Sequence, residues 1–380
     1  MNRLTRSTFV LAATLALSAP AVAEEATPAL KDVFADDFRI GVALGEHQIL
    51  GREPGVLGLV ARQFNAVTAE NVMKWAELQP VEGDYDWAAA DAMVDFAADH
   101  EMRVTGHTLL WHQQTPDWVF EDADGNPVSR EQLLERLENH IHAVVGRYKD
   151  RVRSWDVVNE AVNDDGSMRD TPWYRILGED YVTEAFRIAA EADPTATLLY
   201  NDYSLFLPAK RNGVVRLMKK VQAAGVKVDG VGLQGHYGLG HPEDMQDLAD
   251  SIAAFAGLGL KSSITELDIA VLPFPSPDHF GADLNVNMAL NEQYNPYTEG
   301  LPADVAAQQA ARYRQVFEVL LAHADDVERV TFWGVHDGHS WKNGWPMAGR
   351  TDYPLLFDRQ LQPKAAFWSV VGLKGVTPAE

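Results

Sequence analysis

From Phe38 onward the chain alternates short β-branched or apolar runs with longer amphipathic stretches, and it does so eight times. The runs fall at residues 39–44, 65–70, 103–107, 154–159, 197–201, 230–236, 263–268 and 329–335. Between them lie helical patterns such as 130–149, where Leu133, Leu134, Leu137 and Ile141 recur at the spacing of one helix face, and 305–322. Strand and helix in strict alternation build parallel sheet from βαβ units, and eight such units predict a closed (β/α)8 barrel. A chain of 380 residues with 46% hydrophobic content can bury a core of that size. No Gly/Ser tract or change of composition interrupts residues 34–374, so a single catalytic domain is expected over 24–380. One insertion departs from the pattern. Residues 273–302 hold five prolines and follow the seventh run, which in a barrel places them over the C-terminal face, where barrel active sites are built.

Residues 1–23 read differently. Arg3 and Arg6 precede the apolar run from Phe9 to Leu17, which ends in Ala21-Val22-Ala23, the pattern of a cleaved signal peptide. A membrane span needs about 20 apolar residues, so the reading is export to the periplasm or the cell exterior. Zero cysteines exclude disulfides, thiolate nucleophiles and thiolate metal sites. With 32 basic against 55 acidic residues, the net charge of -23 disfavours nucleic acid and acidic membrane surfaces as partners. Carboxylates, imidazoles, hydroxyls and amides are left to carry the chemistry.

Two carboxylates sit at predicted strand ends. Glu160 follows Asn159 at the end of Trp155-Asp156-Val157-Val158-Asn159, and Glu266 lies in Ile264-Thr265-Glu266-Leu267-Asp268. A period of two turns Glu266 and Asp268 to the same inward face, and Gln234 and His236 form a second inward pair. Buried like charges are expensive without partners. Two carboxylates facing one cleft are the equipment for glycosidic cleavage, one protonating the leaving oxygen and one stabilising the anomeric centre. Trp75, Trp111, Trp118, Trp333, Trp341 and Trp345 all fall at or beyond the same strand ends, where flat rings stack on sugars, and six together favour a carbohydrate cleft over core packing.

These residues resemble a family. Asn65-Ala-Val-Thr-Ala-Glu70-Asn71-Val-Met-Lys74-Trp75, Gly106-His107-Thr-Leu-Leu-Trp111-His112, Trp155-Asp-Val-Val-Asn159-Glu160, Gln234-Gly-His236 and Ile264-Thr-Glu266-Leu-Asp268, in that order, are similar to the motifs of family 10 glycoside hydrolases, the endo-β-1,4-xylanases, over about 38–367. The resemblance implies a retaining hydrolysis of xylan and xylo-oligosaccharides by a monomer without a cofactor or metal. It implies Glu160 as general acid/base and Glu266 as nucleophile, with His236 and Asp268 orienting Glu266 and Asn159 gripping the sugar 2-hydroxyl. Glu70, Asn71, Lys74, His107 and Trp111 match residues that bind sugars on the non-reducing side. Gln234, Trp333 and Trp341 match further parts of the sugar wall, and Gln114 with Trp341 matches the crowding that disfavours a C6 hydroxymethyl group. Two departures stand out. The family's Ser-Trp-Arg is Ser340-Trp341-Lys342 here, and its Pro-Lys-Pro-Ala-Tyr tail is Pro363-Lys-Ala365-Ala-Phe367. Lysine does not reproduce a bidentate guanidinium contact.

Rival readings are weaker. Another barrel glycosidase, such as a glucanase, shares the two glutamates but lacks the Glu70-Asn71-Lys74 and His107 to His112 segments. A non-catalytic sugar binder on a decayed barrel is expected to lack a catalytic glutamate, and both are here. His140-x-His142 has a metallohydrolase spacing, but on a helix residues two apart do not face each other, so neither a metal site nor a metal-dependent deacetylase follows. His336 and His339, near the barrel mouth, are expected to be structural.

Overall fold

The computed structural model describes residues 27–275, 290 and 292–378. The expected signal peptide lies outside them, as do positions 276–289 and 291 of the proline-rich insertion. Among the described residues no helix is long and apolar enough to cross a membrane.

The strands are β1 (Arg39–Leu44), β2 (Ala66–Ala69), β3 (Arg103–Leu110), β4 (Val152–Asn159), β5 (Thr197–Asp202), β6 (Gly230–Leu233), β7 (His236–Gly238), β8 (Lys261–Ala270) and β9 (Val327–Phe332). All pair in parallel in the order β6-β5-β4-β3-β2-β1-β9-β8-β7, and the β6–β8 pairing closes the barrel. The sixth run expected from sequence is therefore broken in two. Gly235, with φ 84°, turns the chain between β6 and β7 in a conformation that a side chain resists, and both pieces pair with β8. The barrel otherwise has the expected eight-stranded form.

Around it run α1 (Val56–Gln63), α2 (Ala88–Asp99), α3 (Arg130–Arg147), α4 (Tyr181–Ala192), α5 (Pro208–Ala223), α6 (Gln246–Ala256), α7 (Ala303–Ala322) and α8 (Ala365–Val371). In α3 the apolar stripe is Leu133, Leu137, Ile141 and Val144, all fully buried. Its first turn is capped by Ser129, whose side chain accepts the Gln132 N–H at 3.2 Å. Truncating a residue such as Leu137 to alanine costs about 2–5 kcal/mol. The inside of the barrel holds small and polar side chains instead. Gly232 is tight against them, because a Cβ there would lie 2.3 Å from Asn201 Oδ1 and 2.8 Å from Thr265 Cγ2.

Register shifts accumulate where the chemistry is expected. Between Ile264 and Leu267, β8 carries one residue more than β9 does between Val330 and Phe332. The same stretch gains one residue on the β6 to β7 side, where Leu233 faces Ile264 and His236 faces Asp268. This is a bulge, and a bulge re-aims side chains. Simple alternation predicts Glu266 inward and Thr265 outward, yet both bond to the Asn201 side chain.

Candidate active site

Glu266 sits in a socket made by three strands. Asn201 Nδ2, from the end of β5, donates to its Oε1 at 2.8 Å, and His236 Nε2, from β7, lies 3.1 Å from its Oε2. His236 Nδ1 is 2.9 Å from Asp268 Oδ2, which also accepts the Trp341 indole N–H at 2.8 Å. Burial alone raises the Glu266 and Asp268 carboxyls, but it is outweighed. His236, with His107 and Asn201, holds Glu266 below the ordinary carboxylate value, and His236, Lys342 and Trp341 do the same for Asp268. Burial works against a charged His236 as well, yet Asp268 and Glu266 raise it above its usual value. The three groups form a hydrogen-bonded chain in which the carboxylates favour a charged imidazole and the imidazole favours both anions.

Glu160 stands across the cleft at the end of β4, buried at 2% exposure. It leaves the strand with φ 59°, and its N–H bonds to Asn201 O at 2.9 Å. Its carboxylate accepts from Trp111 Nε1 at 3.0 Å, Gln234 Nε2 at 2.9 Å and Asn159 Nδ2 at 3.3 Å. Asn159 Oδ1 in turn accepts from Asn201 at 2.9 Å, so the two carboxylates are joined through amide side chains alone.

Both glutamates open into a cleft of about 250 Å³, also lined by Glu70, Asn71, Lys74, His107, Trp111, Gln114, Asn159, Gln234, His236, Trp333 and Trp341. Apart from two of the expected tryptophans, the site residues expected from the sequence are brought to one place, Asp268 standing directly behind His236. At one end Lys74 Nζ donates to Asn71 Oδ1 at 3.0 Å and Gln114 Oε1 at 2.8 Å, and lies 4.9 Å over the Trp111 ring. Burial pushes the Lys74 ammonium down and the Glu70 carboxyl up. His107 is fixed by Asp156, with Nδ1 2.9 Å from Oδ2, and meets Trp333 edge-on at 5.3 Å.

Of the six tryptophans expected at the cleft, Trp75 and Trp118 are elsewhere. Trp75 is buried under a short helix, Trp75–Leu78, stacked 3.7 Å from His140 of α3 and 6.2 Å from Trp118. They close the core between that helix and α3. Trp111, Trp333, Trp341 and Trp345 do line the cleft. His140 is buried against Trp75, whereas His142 is exposed beside Glu138. His336 Nε2 is 2.7 Å from Glu53, and His339 Nε2 is 3.9 Å from Glu70. Lys342 Nζ lies 3.7 Å from Asp268 Oδ1 and 4.2 Å over the Trp341 ring, one point contact where a guanidinium offers two.

The sequence reading missed Asn201. Its strand-end position pairs in register with Asn159, and the strand-end logic that selected Asn159 applies equally to it. Thr265, which donates to Asn201 Oδ1 at 2.6 Å, was hidden by the bulge.

The sequence profile of glycosyl hydrolase family 10 matches residues 29–373. The chain belongs to glycosyl hydrolase family 10. Among family 10 relatives, endo-1,4-beta-xylanase A of Xylanibacter ruminicola is 44% identical over 346 residues, covering 91% of this chain and 93% of that enzyme. The solved structure of a GH10 endoxylanase from a sugarcane soil metagenome is 43% identical, with TM-score 0.88 over 90% of this chain and 99% of that one. Another solved structure, of a mutant in complex with xylotriose, is 37% identical with TM-score 0.81, covering 91% of this chain and 99% of that one.

Proposed function

We propose that this family 10 chain is a secreted, monomeric, retaining endo-1,4-β-xylanase that needs no cofactor, with Glu160 as general acid/base and Glu266 as nucleophile. The observation that carries the assignment is the contrast between the carboxylates. Glu266 is held by His236, an imidazole backed by Asp268 whose contact favours the Glu266 anion, as a nucleophile needs, while Glu160 takes its side-chain hydrogen bonds from the neutral Trp111, Gln234 and Asn159. Relatives named endoxylanases and a relative holding xylotriose support the substrate class.

In the first step a Glu266 oxygen attacks the anomeric carbon. The bond to the glycosidic oxygen breaks with its electron pair, and that oxygen takes the proton of Glu160. In the second step Glu160 accepts a proton from water, the water oxygen attacks the same carbon, and Glu266 leaves. Two inversions give retention. Asn159 is placed for the 2-hydroxyl, while Glu70, Asn71, Lys74, His107, Trp111, Gln114, Gln234, Trp333 and Trp341 supply the bonds and rings that hold the chain of sugars. Binding energy from those remote sugars lowers the barrier at the scissile bond.

Beyond His236 the cleft continues into a cavity of about 700 Å³ lined by Phe206, Tyr237, His241, Phe274 and Lys342. We assign it to the aglycone side. The described end of the insertion borders this region, with Tyr297 packed beside Val271 and Leu272 and its carbonyl accepting the Tyr353 hydroxyl at 2.7 Å. The decisive experiment is reducing-sugar release from β-1,4-xylan and from carboxymethyl cellulose, side by side and with EDTA. Xylan is expected to be favoured by orders of magnitude, unaffected by the chelator; comparable rates on both polymers point to a glucanase.

A further inference from the structure

Behind the cleft, on the outer face of β5, lies a buried polar cluster whose side chains are absent from the cleft lining among the described residues. Tyr200 and Asp202 flank Asn201, so where Asn201 faces the barrel interior they face the helices. Both are fully buried. Tyr200 Oη donates to Asp202 Oδ2 at 2.5 Å and accepts the backbone N–H of Ala161 at 2.9 Å. Asp202 Oδ1 accepts the Tyr203 N–H at 2.9 Å and lies 3.0 Å from Nζ of Lys210, which is itself fully buried in the first turn of α5. Lys210 also reaches Asp164 at 3.2 Å, in the loop that follows Glu160.

The cluster converges on one turn of chain. Glu160 holds a left-handed φ of 59° that few non-glycine residues adopt. Its N–H is fixed by Asn201 O, its carbonyl accepts Arg169 Nε at 3.1 Å, and the next N–H is the one on Tyr200. A buried lysine–aspartate pair is a costly way to fill space behind a sheet, where apolar side chains pack as well. It is a good way to fix a hydroxyl.

Resting on the double-displacement reading above, we propose that Tyr200 and Asp202, the latter held by Lys210, are positioning residues that aim the Glu160 carboxyl at the glycosidic oxygen without touching substrate. Proton transfer tolerates little misalignment. The Tyr200 hydroxyl bonds directly to the N–H that follows Glu160, whereas Glu266 takes its bonds from the Asn201 side chain and His236, so loss of that hydroxyl is felt first by the acid.

The test is Tyr200→Phe, which removes one oxygen and keeps the ring, assayed on xylotetraose and on an aryl xylobioside with a good leaving group. The expected result is a fall in kcat/KM of about 10- to 100-fold on xylotetraose with about twofold or less on the aryl substrate, and azide restoring turnover on the latter. Equal losses on the two substrates, or no loss on either, overturn the proposal while wild-type hydrolysis of both leaves the double-displacement reading intact. A wild-type enzyme inert on both overturns that reading and the proposal with it. If circular dichroism shows Tyr200→Phe unfolded, Asp202→Asn is read the same way, with the same split expected and the same equality overturning the idea.

Discussion

Glu160 at the end of β4 takes its hydrogen bonds from neutral groups, the Trp111 indole and the amides of Gln234 and Asn159, whereas Glu266 on β8 takes them from Asn201 and from His236, an imidazole already paired with Asp268. The two carboxylates share burial and a cleft, so the difference lies in what surrounds them. Neutral N–H donors stabilise a carboxylate, and an imidazole backed by a second anion favours the ionised form more strongly still. One barrel end therefore holds one carboxylate among neutral amide and indole donors and one against an imidazole that favours its anion. Removing the groups that create the contrast is the way to break it.

The largest effect is expected from the glutamates themselves. Glu266→Ala should abolish hydrolysis of xylan and aryl xylobiosides alike, because no leaving group compensates for an absent nucleophile. Glu160→Ala should lower xylan cleavage by about 10²–10⁴-fold while sparing the first step on aryl glycosides, with azide rescuing turnover. Burst kinetics on the aryl substrate check both, and equal losses for the two variants dissolve the contrast.

Next comes His236→Asn, which takes the cation from beside Glu266. Burial raises the Glu266 carboxyl and His236 is the first of the groups that lower it, so its loss should move the acid limb of the kcat/KM profile upward. The rate at neutral pH should fall about 10- to 100-fold. Stability carries the same signature. His236 is raised in the folded protein, so its contribution is complete below the ordinary value of 6.5 and lost as pH rises through the raised one. Glu266 and Asp268 are lowered, so theirs is present above the ordinary 4.5 and 3.8 and lost as pH falls through the lowered values. Wild-type Tm should exceed that of His236→Asn most between about pH 4.5 and 6.5. A difference independent of pH would mean that His236 acts only by packing.

The smallest effect on activity is expected at Lys342, separated from Glu266 by Asp268 and His236. Lys342→Met leaves the buried Asp268 Oδ1 facing no cation and should cost about 3 kcal/mol by denaturant titration. Lys342→Arg should restore most of that, with activity within about threefold of wild type for a group outside the reacting atoms.

The barrel was legible because alternation of short and long apolar patterns is a whole-chain signal, and the two glutamates because they stand at strand ends inside distinctive motifs. Finer placement depended on geometry that residue types do not encode. Trp75 looked like a stacking ring by its distance from β2, but the chain folds back as a helix there and His140, many residues later, receives it. The bulge in β8 is one extra residue spread over Thr265 to Leu267, invisible to a period-two count, and it turns Thr265 toward Asn201. Tyr200 and Asp202 carried no signal in the sequence because their partners, Ala161 and Lys210, are set by the crossing of β4, β5 and α5. Lys342 stood out as a departure from a family arginine, and only the fold shows which group it meets, the Asp268 carboxylate.

The central claim, that an anionic Glu266 attacks and a proton-trading Glu160 assists, is tested most directly by proton NMR of xylo-oligosaccharide hydrolysis followed from the first seconds. The account predicts that the β-anomer of the new reducing end appears first and mutarotates to the mixture; the α-anomer appearing first would mean single displacement by water and would contradict it.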